Sequence, residues 1–254
     1  MKNADAPWSA FDPIAYVDHN YRVLQAEDAE ILNIVRDHFG GHFRKQGFEP
    51  VYGIDVGAGA NLYPALSMMP WCDEITLFEH SSSNVEYLRS QVDSYDGTWD
   101  KFWAALCEHE AYDSLDLDPR ERFRKVVKVE QGNIFDLASL GGPWSVGTMF
   151  FVAESMTASH QEFDLGVGCF MRALAPGAPF VAAFMEHSQG YHVGEQFFPA
   201  CDVGESEVRA SLEPFAGDVE VERLKSAAGV RDGYSGMILA YGWRHNTDAD
   251  IPTA

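Results

Sequence analysis

The sequence predicts an α/β fold built on an open, mostly parallel sheet, and two stretches carry that prediction. The first is Val51-Tyr52-Gly53-Ile54-Asp55-Val56-Gly57-Ala58-Gly59. It starts as an apolar run with β-branched residues, the mark of a strand buried on both faces. It then breaks at Gly57-x-Gly59 into a helical pattern through Leu62, Ala65, Leu66 and Met69. Glycines let a ligand approach the backbone, and the helix start beyond offers free N–H groups. The second stretch is Glu74-Ile75-Thr76-Leu77-Phe78-Glu79, a strand-like run ending in an acid 20 residues after Gly59. An acid at the tip of the second strand grips ribose hydroxyls in folds of this class.

The elements follow in order. Residues 1–13 read as a poorly ordered leader, with Asp12 as an N-cap and Pro13 at the first helical position. A helix then runs from Ile14 to Tyr21, and a second covers about Ala26 to Phe43, with Gly40-Gly41 expected to fray or kink its end. Tyr16 and Tyr21 sit about 140° apart on an ideal helix, so both face one ligand only if the helix bends. Two half-buried tyrosines and a lid with aromatic faces for a cation are both open readings here.

After the second strand, the serines at 81–83 can cap the next helix, whose first turn holds Asn84. Residues 93–128 form an insert, read as a helix, a loop and a helix, with Trp99, Phe102 and Trp103 on a helical period. Its acidic Asp113, Asp116 and Asp118 and its basic 120–125 run read as a solvated face. Val126–Val129 is the third strand, followed by Asn133-Ile134, and 146–153 is the fourth, with Glu154 at its carboxyl end. Ligands bind at such strand ends in open α/β sheets. A helix over 161–174, a Pro176-Gly177 turn, a strand over 179–185 and Glu186-His187-Ser188 come next. His187 is a second candidate base. A helix over 205–215 and two strands, 218–224 and 236–243, complete the pattern as a terminal hairpin, and residues after His245 read as a disordered tail.

Composition narrows the function. Lys and Arg total 18 against 39 Asp and Glu, a net charge of −21, so a nucleic-acid partner is not expected. The four cysteines are far apart, with no metal-type spacing, which points to reduced thiols and no metal. No signal-peptide pattern opens the chain and no apolar run approaches membrane-spanning length, so no membrane partner and a cytoplasmic location are expected. A dinucleotide loop wants a third glycine three residues after the second, where this chain has Leu62. That argues against an NAD-dependent reductase. Asp55, just before the loop, suits a cationic ligand such as S-adenosylmethionine. A catalyst and a non-catalytic cofactor-binding protein both fit the loop.

Three segments together resemble one family. They are Phe11-Asp12-Pro13-x-x-Tyr16 with Tyr21, Asp55-Val56-Gly57-Ala58-Gly59 with Tyr63, and Tyr191-x-x-Gly194-Glu195-Gln196. The chain resembles class I S-adenosylmethionine-dependent methyltransferases and, more narrowly, the nicotinamide, phenylethanolamine, thioether and indolethylamine methyltransferase family, from about Trp8 to Trp243. The resemblance implies a Rossmann-like fold with a seven-stranded, mostly parallel sheet and helices on both faces. It implies N-terminal lid helices over 1–50, a core over 51–245 with an insert at about 93–125, and a tail from 246. It implies S-adenosylmethionine contacts at Tyr16, Tyr21, Gly57, Gly59, Tyr63, Glu79, Asn84, Asn133 and Ile134, with Tyr63 holding the methionine carboxylate. It implies a small-molecule methyl acceptor at Glu154, Ser188 and Tyr191, an amine or aromatic nitrogen that Glu154 holds and polarises, with an oxygen or sulfur acceptor as the alternative. Where the nicotinamide enzymes carry an aspartate on the fifth strand, this sequence has Phe184, with Glu186 two residues on.

Overall fold

In a computed structural model, which describes residues 1–44, 49–115, 117–224 and 234–246, seven strands form one sheet. They are β1 (Tyr52–Val56), β2 (Glu74–Glu79), β3 (Val127–Gln131), β4 (Val146–Phe150), β5 (Pro179–Glu186), β8 (Glu220–Leu224) and β9 (Gly236–Trp243). Their spatial order is β3-β2-β1-β4-β5-β9-β8. The first five run parallel, while β9 is antiparallel to both β5 and β8. From β1 the chain passes to β2 on one side and later to β4 on the other. This reversal opens a crevice above the carboxyl end of β1, where open α/β sheets take ligands.

The period-2 pattern of β5 explains the two-sided core. Val181, Ala183 and Met185 face a cluster containing Ile31, Val35 and Phe39 of α2 (Ala26–Phe43) and Leu66 of α3 (Tyr63–Met68). Phe180, Ala182 and Phe184 face Phe163 and Phe170 of α8 (His160–Ala173) and Leu212 of α9 (Glu205–Leu212). Each large side chain buried this way contributes on the order of 1.5–3 kcal/mol.

Several expectations change in three dimensions. The leader is docked. Asn3 is buried, Ala158 N–H donates to Met1 O at 2.9 Å, and the Ser81 and Ser83 hydroxyls donate to Trp8 O at 2.7 Å and Phe11 O at 2.8 Å. Its aromatic residues drive this, because Trp8 and Phe11 pack on Phe198 with ring centroids 5.2 Å apart in each case. Phe198 comes from a small hairpin of β6 (Tyr191–Val193) and β7 (Gln196–Phe198). Asp12 does cap α1 (Pro13–Asn20), accepting from Ala15 N–H at 3.0 Å. Gly40-Gly41 neither breaks nor ends α2, which runs on to Phe43.

Strand β4 stops at Phe150, three residues before the expected end, because Phe151 takes a left-handed φ of 60°. The insert follows α4 (Ser82–Asp93) and holds three helices rather than two, α5 (Asp100–Leu106), α6 (Glu110–Asp113) and α7 (Pro119–Val126). Its basic run is not simply solvated. Arg122 donates to the carbonyls of Met69 and Cys72, and the Arg120 guanidinium lies 4.5 Å from the Tyr95 ring centroid. Asp116, the link between β8 and β9, and the tail from residue 247 fall outside the described residues. No helix among the described residues is long and apolar enough to cross a membrane.

Candidate active site

A cleft of about 760 Å³, counting the space it shares with open solvent, lies at the crevice. Its floor is the loop after β1. Gly57 adopts a φ of 67°, and a Cβ there would lie 2.5 Å from Val152 Cγ1, so only glycine fits. The Gly57 and Ala58 N–H groups both donate to Phe78 O, at 2.7 and 3.1 Å, which pins the loop to the end of β2. Glu79 closes the same corner. One carboxylate oxygen accepts from Gly59 N–H at 2.8 Å and the other from Ser81 N–H at 2.7 Å. Burial raises the Glu79 pKa, and these N–H groups and Asn84 oppose the rise. Asn84 Nδ2 approaches the same carboxylate at 3.5 Å, while its Oδ1 is buried with no hydrogen-bond partner among the described residues. A buried acceptor on a cavity wall calls for a donor from a ligand.

The structure brings together Tyr16, Tyr21, Gly57, Gly59, Glu79, Asn84, Asn133, Ile134 and Tyr191 on one cavity wall. The tyrosine geometry is resolved by helix termination rather than bending. Helix α1 ends at Asn20, so Tyr21 swings round and its ring centroid lies 5.9 Å from that of Tyr16. Asn133 Oδ1 accepts from Phe135 N–H at 3.1 Å, which sets the turn that exposes Ile134 to the cavity.

Three expected site residues lie elsewhere. Tyr63 is fully buried off the wall, and its hydroxyl donates to Asp28 Oδ1 at 3.3 Å, tying α3 to α2. Burial pushes the Asp28 carboxyl up to about 7, with the Tyr63 bond opposing. Glu154 is also off the wall. The left-handed turn at Phe151 brings its carboxylate to β5, where it accepts from Met185 N–H at 3.1 Å and from Ser155 Oγ at 2.8 Å. Ser155 itself reaches the cavity. Ser188 is buried behind the site, its hydroxyl without a partner among the described residues. Of the neighbouring candidates, His187 pairs with Asp202 at 2.7 Å, and Glu186 is held by Arg223 and Ser235. Asp55 lies beneath the loop, accepting from Thr148 Oγ1 at 2.7 Å. Burial pushes it up to about 8, the Thr148 bond opposing and Glu79 adding to the rise.

Sequence reasoning missed other parts of the wall, among them Asn3, Trp8, Asn61 and Ser155. Asn61 stands within the quoted loop and could have been found there. Nothing local marks Asn3 or the left-handed Phe151.

A parallel sheet with a glycine loop after its first strand and an acid at the tip of its second is shared by the dinucleotide-binding folds and the class I S-adenosylmethionine-dependent methyltransferases. The cavity fits S-adenosylmethionine, with a cradle a Cβ would fill, a carboxylate at the tip of β2 and an orphaned acceptor beside it. Residues 2–238 match the profile of the NNMT/PNMT/TEMT family, and the chain belongs to that family. It is an S-adenosylmethionine-dependent methyltransferase. Nicotinamide N-methyltransferase from Sus scrofa is 23% identical over 225 residues, 85% of each chain, and the Homo sapiens protein of that name is 23% identical over 228 residues. Among solved structures, N-methyltransferase NodS from Bradyrhizobium japonicum with S-adenosyl-L-homocysteine has a TM-score of 0.56 at 12% identity, covering 94% of both chains. CalS10, an amino pentose methyltransferase from Micromonospora echinaspora, has a TM-score of 0.52 at 14% identity, covering 90% of this chain and 95% of its own. These two share the fold.

Proposed function

We propose that the protein methylates the nitrogen of a small amine or aromatic heterocycle by direct in-line transfer. One observation carries the choice of nitrogen. The cavity wall holds many aromatic rings, Trp8, Phe11, Tyr16, Tyr21 and Tyr191 among them, but no lysine or arginine among the described residues. A hydroxyl acceptor must lose its proton, and among the described lining residues only His80 could carry a positive charge to hold the resulting oxyanion. A nitrogen acceptor becomes cationic as it reacts, and aromatic faces stabilise that charge. The curated relatives named as nicotinamide N-methyltransferases support the same reading. Phe184, edge-on to Phe163 where those enzymes carry an acid, favours an acceptor other than nicotinamide.

S-adenosylmethionine, when bound, supplies an electrophilic methyl group on a sulfonium that leaves as a neutral thioether. The chain's own contribution is positional. Gly57 and Gly59 cradle the adenosyl part, Glu79 accepts from the ribose hydroxyls, Asn84 offers its spare oxygen, and Asn133 with Ile134 flanks the base. The tyrosines of the N-terminal helices exclude water. Tyr191, whose hydroxyl donates to Ser155 O at 3.3 Å, forms the acceptor wall. Orientation of this kind can supply about 7–11 kcal/mol of the barrier. Glu154 acts as a positioning residue, holding the Ser155 hydroxyl on the acceptor side. Tyr63 and Ser188 act from behind the wall, and through Asp28 Tyr63 holds the lid helix in place.

The test is methyl transfer from labelled S-adenosylmethionine to matched arylalkylamines, pyridines, phenols and thioethers. Amines or pyridines should turn over fastest. Faster turnover of a phenol or thioether than of any nitrogen compound sinks the reading, and transfer to no compound despite cofactor binding sinks it too.

A further inference from the structure

The first eleven residues bridge both rims of the cleft. On one rim, Asn3 N–H donates to Glu162 Oε2 at 2.9 Å, at the start of α8. On the other, the Ser81 and Ser83 hydroxyls hold the carbonyls of Trp8 and Phe11. Between these ties the strap presents Asn3 and Trp8 to the cavity, on the same wall as Asn133, Ile134 and Met156.

The Asn3 side chain is only 5% exposed. Its carboxamide has a defined orientation, because the indole N–H of Trp8, a donor only, reaches both Asn3 Oδ1 at 3.0 Å and Asn3 O at 2.9 Å. The Oδ1 end is therefore committed, and the two N–H donors of Nδ2 have no partner among the described residues. Nδ2 is not itself a fully buried atom, so water can reach its donors and a ligand acceptor can take that water's place when the site fills.

We propose that Asn3, oriented by Trp8, is a binding residue for the purine ring of the cofactor, donating from Nδ2 to a ring nitrogen. The placement rests on the reading of Glu79 as the ribose partner and of Asn133-Ile134 as the flank of the base. Beyond that flank, away from the sheet, stand α8 and the strap. Ring nitrogens are acceptors without a proton, so a carboxamide N–H matches them. Trp8 is a positioning residue in this arrangement. Its indole N–H prevents the amide from turning its oxygen toward the ring.

The experiment measures S-adenosylhomocysteine affinity by calorimetry for the intact protein and for Asn3→Ala, Asn3→Asp and Trp8→Phe. The 1-, 3- and 7-deaza analogues, each with one ring nitrogen replaced by CH, are measured beside it. Asn3→Ala should weaken binding of the parent ligand about 10-fold, the upper range for a neutral hydrogen bond, and Asn3→Asp should weaken it further. For one deaza analogue, already weaker with the intact protein, Asn3→Ala should make no further difference. Trp8→Phe should show part of the same pattern. Unchanged affinity in Asn3→Ala overturns the proposal. An equal loss for the parent and all three analogues also overturns it, and assigns Asn3 to holding the strap alone. A Glu79→Ala variant that binds the parent ligand as well as the intact protein would instead refute the underlying placement of the ribose.

Discussion

The two halves of the cleft are built on different principles. The half proposed for the cofactor is made of groups at the ends of adjacent strands, Gly57 and Gly59 after β1, Glu79 at the end of β2 and Asn133 after β3, locked by short contacts such as Gly59 N–H to the Glu79 carboxylate. The acceptor half is assembled from distant segments. It combines the Tyr191 hairpin and the turn after β4, joined by the Tyr191–Ser155 bond, while the strap stacks on that hairpin through Trp8 and Phe198 and lies between the two halves. The first half is rigid because each part lies one strand spacing from the next. The second depends on packing between elements that the sheet does not hold in register, so substitution there should alter acceptor use before cofactor binding.

The sharpest way to break this contrast is Gly57→Ala. The left-handed backbone and the clash with Val152 should together weaken S-adenosylhomocysteine binding about 100-fold in a folded protein, read by calorimetry with circular dichroism as the folding control. Next comes Glu79→Ala, which removes a charged acceptor from two N–H groups and the ribose, and should cost about 30-fold in cofactor affinity. Glu154→Gln belongs to the other half. It should lower kcat roughly 10-fold with the cofactor Kd nearly kept, since the carboxylate acts through Ser155. Equal turnover removes its role. Tyr191→Phe, losing one hydrogen bond, should raise the acceptor KM about 3-fold and leave cofactor binding alone.

The smallest effect on binding is expected at Asp55, and its signature is a pH dependence of stability. Its folded-state pKa of about 8 stands above the ordinary carboxyl value of about 4, so the folded protein holds a proton that the unfolded chain gives up. Asp55 therefore lowers the stability of the ligand-free protein progressively as pH rises from about 4 to about 8, and adds no further slope above that. Thermal denaturation across this range should show the slope, and Asp55→Asn should flatten it. An unchanged slope in that variant would mean that another buried carboxyl, Asp28, carries the effect.

The cofactor half was legible because its motif is local. A glycine at a left-handed position, an acid at a strand tip and a capping serine each announce themselves within a few residues, and the structure puts Gly57, Glu79 and Ser81 at one corner. The acceptor half was legible only through family resemblance, and there the side-chain directions went astray. Glu154 lies at the end of β4 as expected, yet the left-handed Phe151 points its carboxylate at Met185. Tyr63 follows the loop as expected, yet α3 is packed on all sides and the hydroxyl finds Asp28 on α2. Sequence spacing says where a Cα lies along an element but not which neighbour receives the side chain.

By itself, the order of residues determined the alternation of strands and helices, the glycine loop, the acid at the tip of the second strand and the boundaries of α2, because hydrophobic period, caps and turns are read within one or two turns of chain. Only tertiary packing decided that the leader becomes a strap carrying Asn3 to the cavity, and that Glu154 and Ser188 are buried off the wall. These outcomes depend on contacts between segments tens to more than a hundred residues apart, such as Asn3 with Glu162, and no local pattern encodes such a meeting.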